Sequence, residues 1–268
     1  MAPSRLDALS IGAQHPRVRE LLAVRKDSVP GRILVEGNWE HDQLLTTPTT
    51  IDTLYYCPEA AEDTSTAERA AARAREVYRI SPKLLARVAR RSRSDGLVSI
   101  ARLPVWQPQQ FTFTELSLVL VADGVEYAGN LGTLIRTVDA ARADCLVLTS
   151  RRAKLSHPSV YTASRGMVLS TPVLEFDDIA TAAGWLRQHR FAVHLADPGA
   201  TGSYRVPEYR GGPTAFVVGS EGNGLDRQWH EQGFDAVSIP MLGRADSLNV
   251  ALSAGILLFE ARARKEGW

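Results

Sequence analysis

Apolar residues along this chain fall into short runs separated by amphipathic segments, and the runs change character about a third of the way along. In the first part, "GRILVEG" (31–37), "IDTLYYCP" (51–58) and "GLVSIARL" (96–103) set β-branched and aromatic residues between turn formers, which predicts three strands. The Ala- and Arg-rich "TAERAAARARE" (66–76) predicts a helix. "SPKLLARVARR" (81–91) predicts another, with Ser81 as N-cap and Pro82 at the first helical position. "PVWQPQQFTFTE" (104–115) carries two prolines, three glutamines and no helical period, so it reads as a linker.

The remainder alternates more regularly. Its strand-like runs are "LSLVLVADG" (116–124), "CLVLTS" (145–150), "TPVLEF" (171–176), "FAVHLAD" (191–197), "TAFVVGS" (214–220) and "AVSIPML" (236–242), with helical patterns between most of them. Near-continuous apolar strands between helices predict a parallel sheet covered on both faces. The chain closes on "SLNVALSAGILLFEARARKEG" (247–267), a helix that is apolar almost all round over 248–259, as suits either a central core helix or a subunit interface. Its basic residues at 262–265 suit the negative end of their own helix. The expected organisation is an α/β domain at 1–104, a linker at 105–115 and a second α/β domain at 116–268.

Composition bounds the class. A chain of 268 residues, 44% apolar and 23% charged, can bury a core in each of two modest domains. No apolar run approaches the roughly 18 to 20 residues of a membrane span, and the first residues lack the apolar stretch of a signal peptide. No membrane association is expected. Cys57 and Cys145 both lie in strand-like contexts and are expected to be buried free thiols, with a cytoplasmic location as the default. A net charge of +1 excludes a polycation. Residues 69–102 nevertheless hold ten basic residues against Glu76 and Asp95, a local excess of +8. Such a cluster is either a grip for nucleic-acid phosphate or a solvated helix face.

Open α/β sheets bind ligands beyond the carboxyl ends of their strands, and three polar, glycine-bearing loops lie at such ends. One is "EYAGNLGTLIRTVDAAR" (126–142), where Gly129 and Gly132 suggest a tight turn. The others are "VVGSEGNGL" (217–225) and "SIPMLGRADSLNVALS" (238–253). Singly each has an ordinary reading: a glycine turn, a surface arginine at Arg136, an N-cap at Asp246 or Ser247. The dinucleotide fingerprint G-x-G-x-x-G is absent, and no G-x-x-x-x-G-K-[ST] occurs, which excludes a P-loop.

Together the loops read N-x-G-x-x-x-R, V-G-S-E-G-x-G and I-P-M-x(5)-S-L-N-V-A-x-S, in that order. In this the chain resembles the SpoU family of RNA 2′-O-ribose methyltransferases, within the SPOUT superfamily. The likeness is close over 117–264 and looser before it. "ASRGMVLSTPV" (163–173) and the layout are most like the enzymes that confer thiopeptide resistance by methylating 23S rRNA.

The resemblance implies a parallel sheet with a C-terminal trefoil knot, a feature nearly absent from other proteins, preceded by a small ribosomal-protein-like (L30e-like) domain that binds RNA. It implies S-adenosylmethionine as methyl donor, no metal, and a homodimer. Gly219, Ile239 and Leu248 would line the methyl-donor pocket, with Gly219 permitting close backbone approach. Arg136 would be the catalytic arginine, orienting the ribose hydroxyl and stabilising developing negative charge, with proton abstraction secondary because a guanidinium is a poor base. Asn130 and Glu221 would order the loops and Arg136. Ser247 and Asn249 would serve the ribose or the helix start, and Arg165 would contact RNA phosphate. The implied activity is 2′-O-methylation of RNA, most closely 23S rRNA; the alternatives are a housekeeping rRNA or tRNA methyltransferase and a non-catalytic ribosome-assembly protein.

Overall fold

The computed structural model describes residues 4–26, 29–90 and 94–268. In chain order the first elements are α1 (Pro16–Arg25), β1 (Arg32–Glu36), α2 (Asn38–Leu45), β2 (Ile51–Tyr56), α3 (Ser65–Arg73), β3 (Ala74–Arg79), α4 (Pro82–Val88) and β4 (Leu97–Arg102). Then follow β5 (Leu118–Asp123), α5 (Ala128–Ala140), β6 (Cys145–Thr149), α6 (Pro158–Ser164), β7 (Val173–Glu175), α7 (Ile179–Gln188), β8 (Ala192–Ala196), β9 (Thr214–Val218), α8 (Arg227–Glu231), β10 (Asp235–Val237) and α9 (Val250–Glu266). The chain divides into two compact units. One comprises Met1–Pro104 with Leu155–Ser170; the other comprises Val105–Lys154 with Thr171–Trp268. Helix α6, from the middle of the sequence, thus belongs to the first unit.

The first unit is built on a sheet of order β1-β4-β2-β3, antiparallel except for the parallel β2–β3 pair. Alternation along β1 sends Leu34 toward Val18, Leu21 and Leu85 of α1 and α4, in one apolar cluster. Ser81 caps α4 by accepting the Leu84 amide at 3.3 Å, with Pro82 beside it, as the sequence indicates. The predicted helix over 66–76 is shorter: α3 ends at Arg73, and Ala74 begins β3. Pairing overrides the helical propensity of Ala and Arg here, because Val77 and Tyr78 lie beside Leu54 and Tyr55 of β2. His41 is fully buried, its Nδ1 2.7 Å from the Gly37 carbonyl and its Nε2 2.7 Å from Ser99 Oγ. Burial lowers its pKa to about 4.

The second unit has a six-stranded, wholly parallel sheet of order β10-β8-β9-β5-β6-β7. Every residue of β5, β6 and β9 is buried, which is why these strands read as continuous apolar runs. One face packs on Ile179, Ala182 and Leu186 of α7 and Trp229 of α8; the other carries α5 and α9, which also pack on each other. Segment 104–115 is more than a connector: Phe113 stacks edge-on against Trp185 at 5.4 Å and Phe191 at 4.8 Å. Cys57 and Cys145 are free and buried.

The basic end of α9 puts Arg264 and Lys265 in its last turn, as expected, and also reaches other segments. Arg262 and Lys265 are each 7% exposed and bind carbonyls of other segments. Arg262 donates to Ala141, Leu116 and Arg142, and so caps the carboxyl end of α5. Lys265 Nζ donates to the carbonyls of Glu115, Tyr209 and Gly212, each at 2.6 Å. These cations are cross-braces between segments, donating to carbonyls at buried and part-buried contacts.

Candidate active site

At the carboxyl edge of the parallel sheet, between β5 and β9, the chain leaves each strand in a different direction, the position at which such sheets bind ligands. After β5 the turn is made by Gly124, at φ +63°. Helix α5 then starts at Ala128, so Gly129 and Gly132 lie in its opening turns and make no tight turn, contrary to the sequence reading. Glycine is compatible with helix, and without a positive φ nothing local marks these two as turn residues.

After β9 the chain folds back on itself. Ser220 and Gly224 exchange both backbone hydrogen bonds, at 2.9 and 3.0 Å. A Cβ on Gly219 would lie 2.1 Å from the Gly224 carbonyl carbon and 2.3 Å from the Leu225 nitrogen. The close approach that demands glycine is therefore to the chain's own backbone. The third loop runs from β10 to α9. Asn249, rather than Asp246 or Ser247, caps that helix, accepting the Ala251 amide at 2.9 Å. Ser247 Oγ donates to Asp246 at 3.3 Å.

One relay joins the three loops. Asn130 Nδ2 donates to Glu221 Oε1 at 2.6 Å, and the Glu126 amide donates to Glu221 Oε2 at 3.2 Å. Asn249 Nδ2 donates to Asn130 Oδ1 at 3.1 Å while its own Oδ1 caps α9. Asn130 is thus oriented by both neighbours, and the first of these bonds is charge-assisted. A cavity of about 810 Å³ opens beside the relay. Its walls include Asn130, Gly219, Glu221, Ile239, Ser247, Leu248 and Asn249, seven of the nine residues picked from sequence. Their neighbours Asp197 and Met241 also line it and were not picked as site residues; the available signals were that Asp197 ends the predicted strand 191–197 and that Met241 belongs to the I-P-M motif of the third loop.

Arg136 lines a separate, more apolar concavity of about 650 Å³ with Leu252, Ile256 and Phe259, joined to the first by Asn249. Its exposed guanidinium has no hydrogen-bond or ion-pair partner among the described residues. Arg165 belongs to the other unit, where it takes a left-handed conformation (φ 54°) and lies over the Trp39 ring at 5.0 Å. Much of the basic cluster is internally engaged: Arg69 pairs with Asp42, Arg102 and Arg75 with Asp52, and Arg73 binds the Leu45 carbonyl. Lys83 and Arg87 are exposed on α4, and Arg91 and Arg93 lie outside the described residues. Among the described residues no group of three or more His, Cys, Asp or Glu is arranged to hold a metal, and no helix is long and apolar enough to cross a membrane.

Comparison with known proteins places this site. A "Putative TrmH family tRNA/rRNA methyltransferase" of Staphylococcus saprophyticus subsp. saprophyticus is 32% identical over 152 residues, 57% of this chain and 61% of that protein. The match therefore spans about three fifths of that relative's length. A crystal structure described as an RNA 2′-O ribose methyltransferase is 29% identical with a TM-score of 0.78, covering 97% of this chain and 100% of that one. An AdoMet-bound rRNA methyltransferase from Sinorhizobium meliloti superposes with a TM-score of 0.85 at 26% identity, over 96% of this chain and 98% of that one. The model of the SpoU rRNA Methylase family matches residues 117–259, more than half of the chain and all three loops of the relay, and the chain belongs to that family.

Proposed function

We propose that this protein transfers a methyl group from S-adenosylmethionine to a ribose 2′-hydroxyl of RNA. The observation that carries the reading is the relay Glu221–Asn130–Asn249, which ties all three loops to one cavity at the carboxyl edge of the sheet. The cavity has the size of a cofactor site. Its mixed wall also fits: Ile239 and Leu248 offer apolar surface to an adenine, and the backbone turn at Gly219 to Gly224 offers polar groups. When bound, the cofactor supplies an electrophilic methyl group on a sulfonium. Gly219, Ile239 and Leu248 would hold it. Arg136, whose guanidinium has no partner among the described residues and whose concavity shares Asn249 with the cavity, would orient the hydroxyl and stabilise charge developing on its oxygen. Asn130 and Glu221 keep the loops in register, Ser247 is available to the ribose, and Arg165 would hold RNA phosphate.

The finer reading is a 23S rRNA target, with thiopeptide resistance as the biological role. We further propose that the connection into α9 forms the trefoil knot, that residues 1–104 form an L30e-like RNA-binding domain, that 105–115 links them to a catalytic domain at 116–268, and that the protein works as a cytoplasmic homodimer. Leu252, 54% exposed, and Phe259, 42% exposed, on α9 support the dimer, since apolar side chains at that density on one helix call for a partner.

The test is methyl incorporation from labelled S-adenosylmethionine into 23S rRNA and into bulk tRNA, by wild type and Arg136→Ala. Incorporation into 23S rRNA should fall at least a hundredfold in the variant. Equal incorporation would refute the role of Arg136, and incorporation only into tRNA would move the substrate to that class.

A further inference from the structure

We infer that the cavity sorts S-adenosylmethionine from the demethylated S-adenosylhomocysteine by charge, and that Asp197 sets the preference; this rests on the methyltransferase reading above. The side chains around the cavity include three carboxylates, Asp197, Glu221 and Asp246, and among the described residues no Lys, Arg or His lines it. Glu221 is committed to neutral donors on Asn130 and Glu126, which orient its charge without cancelling it. Asp246 accepts from Ser247. Asp197 sits just beyond β8, with Oδ1 fixed by the Gly199 amide at 2.7 Å. Its Oδ2 has no hydrogen-bond donor among the described residues: His230 Nε2 stands 3.8 Å away, and His230 does not line the cavity. Arg136 lines the adjoining concavity.

A concave site walled by charges of one sign focuses their field. The reaction discharges the ligand inside that field. The ribose O–H bond breaks and an O–C bond forms; the S–C bond breaks with its electron pair going to sulfur; the proton leaves to solvent. The sulfonium becomes a neutral thioether, while the ammonium and carboxylate of the amino-acid end are the same before and after. The cavity therefore loses one unit of attraction to its ligand at each turnover, which favours exchange of spent cofactor for fresh. Of the three carboxylates, Asp197 is the one held at one oxygen by a backbone amide while its other oxygen has no hydrogen-bond donor among the described residues.

The test is calorimetric titration of the full chain with S-adenosylmethionine and S-adenosylhomocysteine at low and high salt. Wild type should prefer S-adenosylmethionine by about tenfold at low salt, with the preference shrinking as salt screens the field. Asp197→Asn keeps an acceptor for the Gly199 amide and removes the charge. It should reduce the preference to about two- to threefold by weakening S-adenosylmethionine alone. His230→Gln should not reduce it. Equal or reversed affinity in wild type overturns the inference, as does an unchanged ratio in Asp197→Asn. If that variant fails to fold, the wild-type salt series decides, and a salt-independent ratio overturns the inference. Failure of both ligands to bind wild type would instead refute the methyltransferase reading itself.

Discussion

Replacing Gly219 with alanine tests the loop architecture at its tightest point. The added Cβ would sit 2.1 Å from the Gly224 carbonyl carbon, 2.2 Å from its oxygen and 2.3 Å from the Leu225 nitrogen. Ordinary carbon contacts begin near about 3.5 Å, and all three obstacles are backbone, so no rotamer change relieves them. The segment must open by roughly 1 Å, which breaks the paired bonds between Ser220 and Gly224. At about 1 kcal/mol for each bond the folded loop loses about 2 kcal/mol. Since 1.4 kcal/mol is tenfold, S-adenosylmethionine should bind about thirtyfold more weakly. The control is Gly222→Ala in the same loop, where an added Cβ meets nothing within 4 Å and φ is not in the left-handed region. It should bind within about threefold of wild type. Calorimetric titration of both variants decides the matter: G219A binding like wild type, or G222A binding as poorly as G219A, would refute the reasoning.

Asn130→Ala removes the centre of the relay, a charge-assisted bond at 2.6 Å and a neutral one at 3.1 Å, and should cost about 3 kcal/mol, or about a hundredfold in methyl-transfer rate, with the fold intact by circular dichroism. Arg262→Met strands three carbonyls, of Ala141, Leu116 and Arg142, and should lower the thermal midpoint of the protein by about 5 to 10 °C, measured by scanning calorimetry. Burial depresses the pKa of His41 from 6.5 to about 4, so its contribution to stability is complete above pH 6.5 and is lost as pH falls toward 4. Wild type should lose about 3 kcal/mol more than His41→Gln between pH 6.5 and 4 in urea unfolding, and parallel pH profiles would contradict this.

Much of the catalytic unit was legible because its physics is local. Strands β5, β6 and β9 are buried on both faces, so solvation alone makes them continuous apolar runs, and turn residues mark their ends. Seven of the chosen residues share one cavity because the ends of parallel strands must lie on one edge. Elsewhere the deciding partner was distant in sequence. The Ala- and Arg-rich segment gave no local sign that β3 would pair with β2. Asn249, Asp246 and Ser247 are all competent caps, and the choice among them follows from where α9 docks.

The amino-acid sequence by itself determined the family, the alternation of strands and helices, and the three loops that carry polar chemistry, since each is written in hydrophobic period and residue type. Only the tertiary structure decided that Gly219 is needed for a backbone 5 residues away, that Arg262 and Lys265 brace carbonyls more than 50 residues away, and that Arg136 lines a concavity that shares Asn249 with the main cavity. Steric exclusion, carbonyl satisfaction and the enclosure of a cavity are relations between segments, and a pattern along one segment cannot contain them.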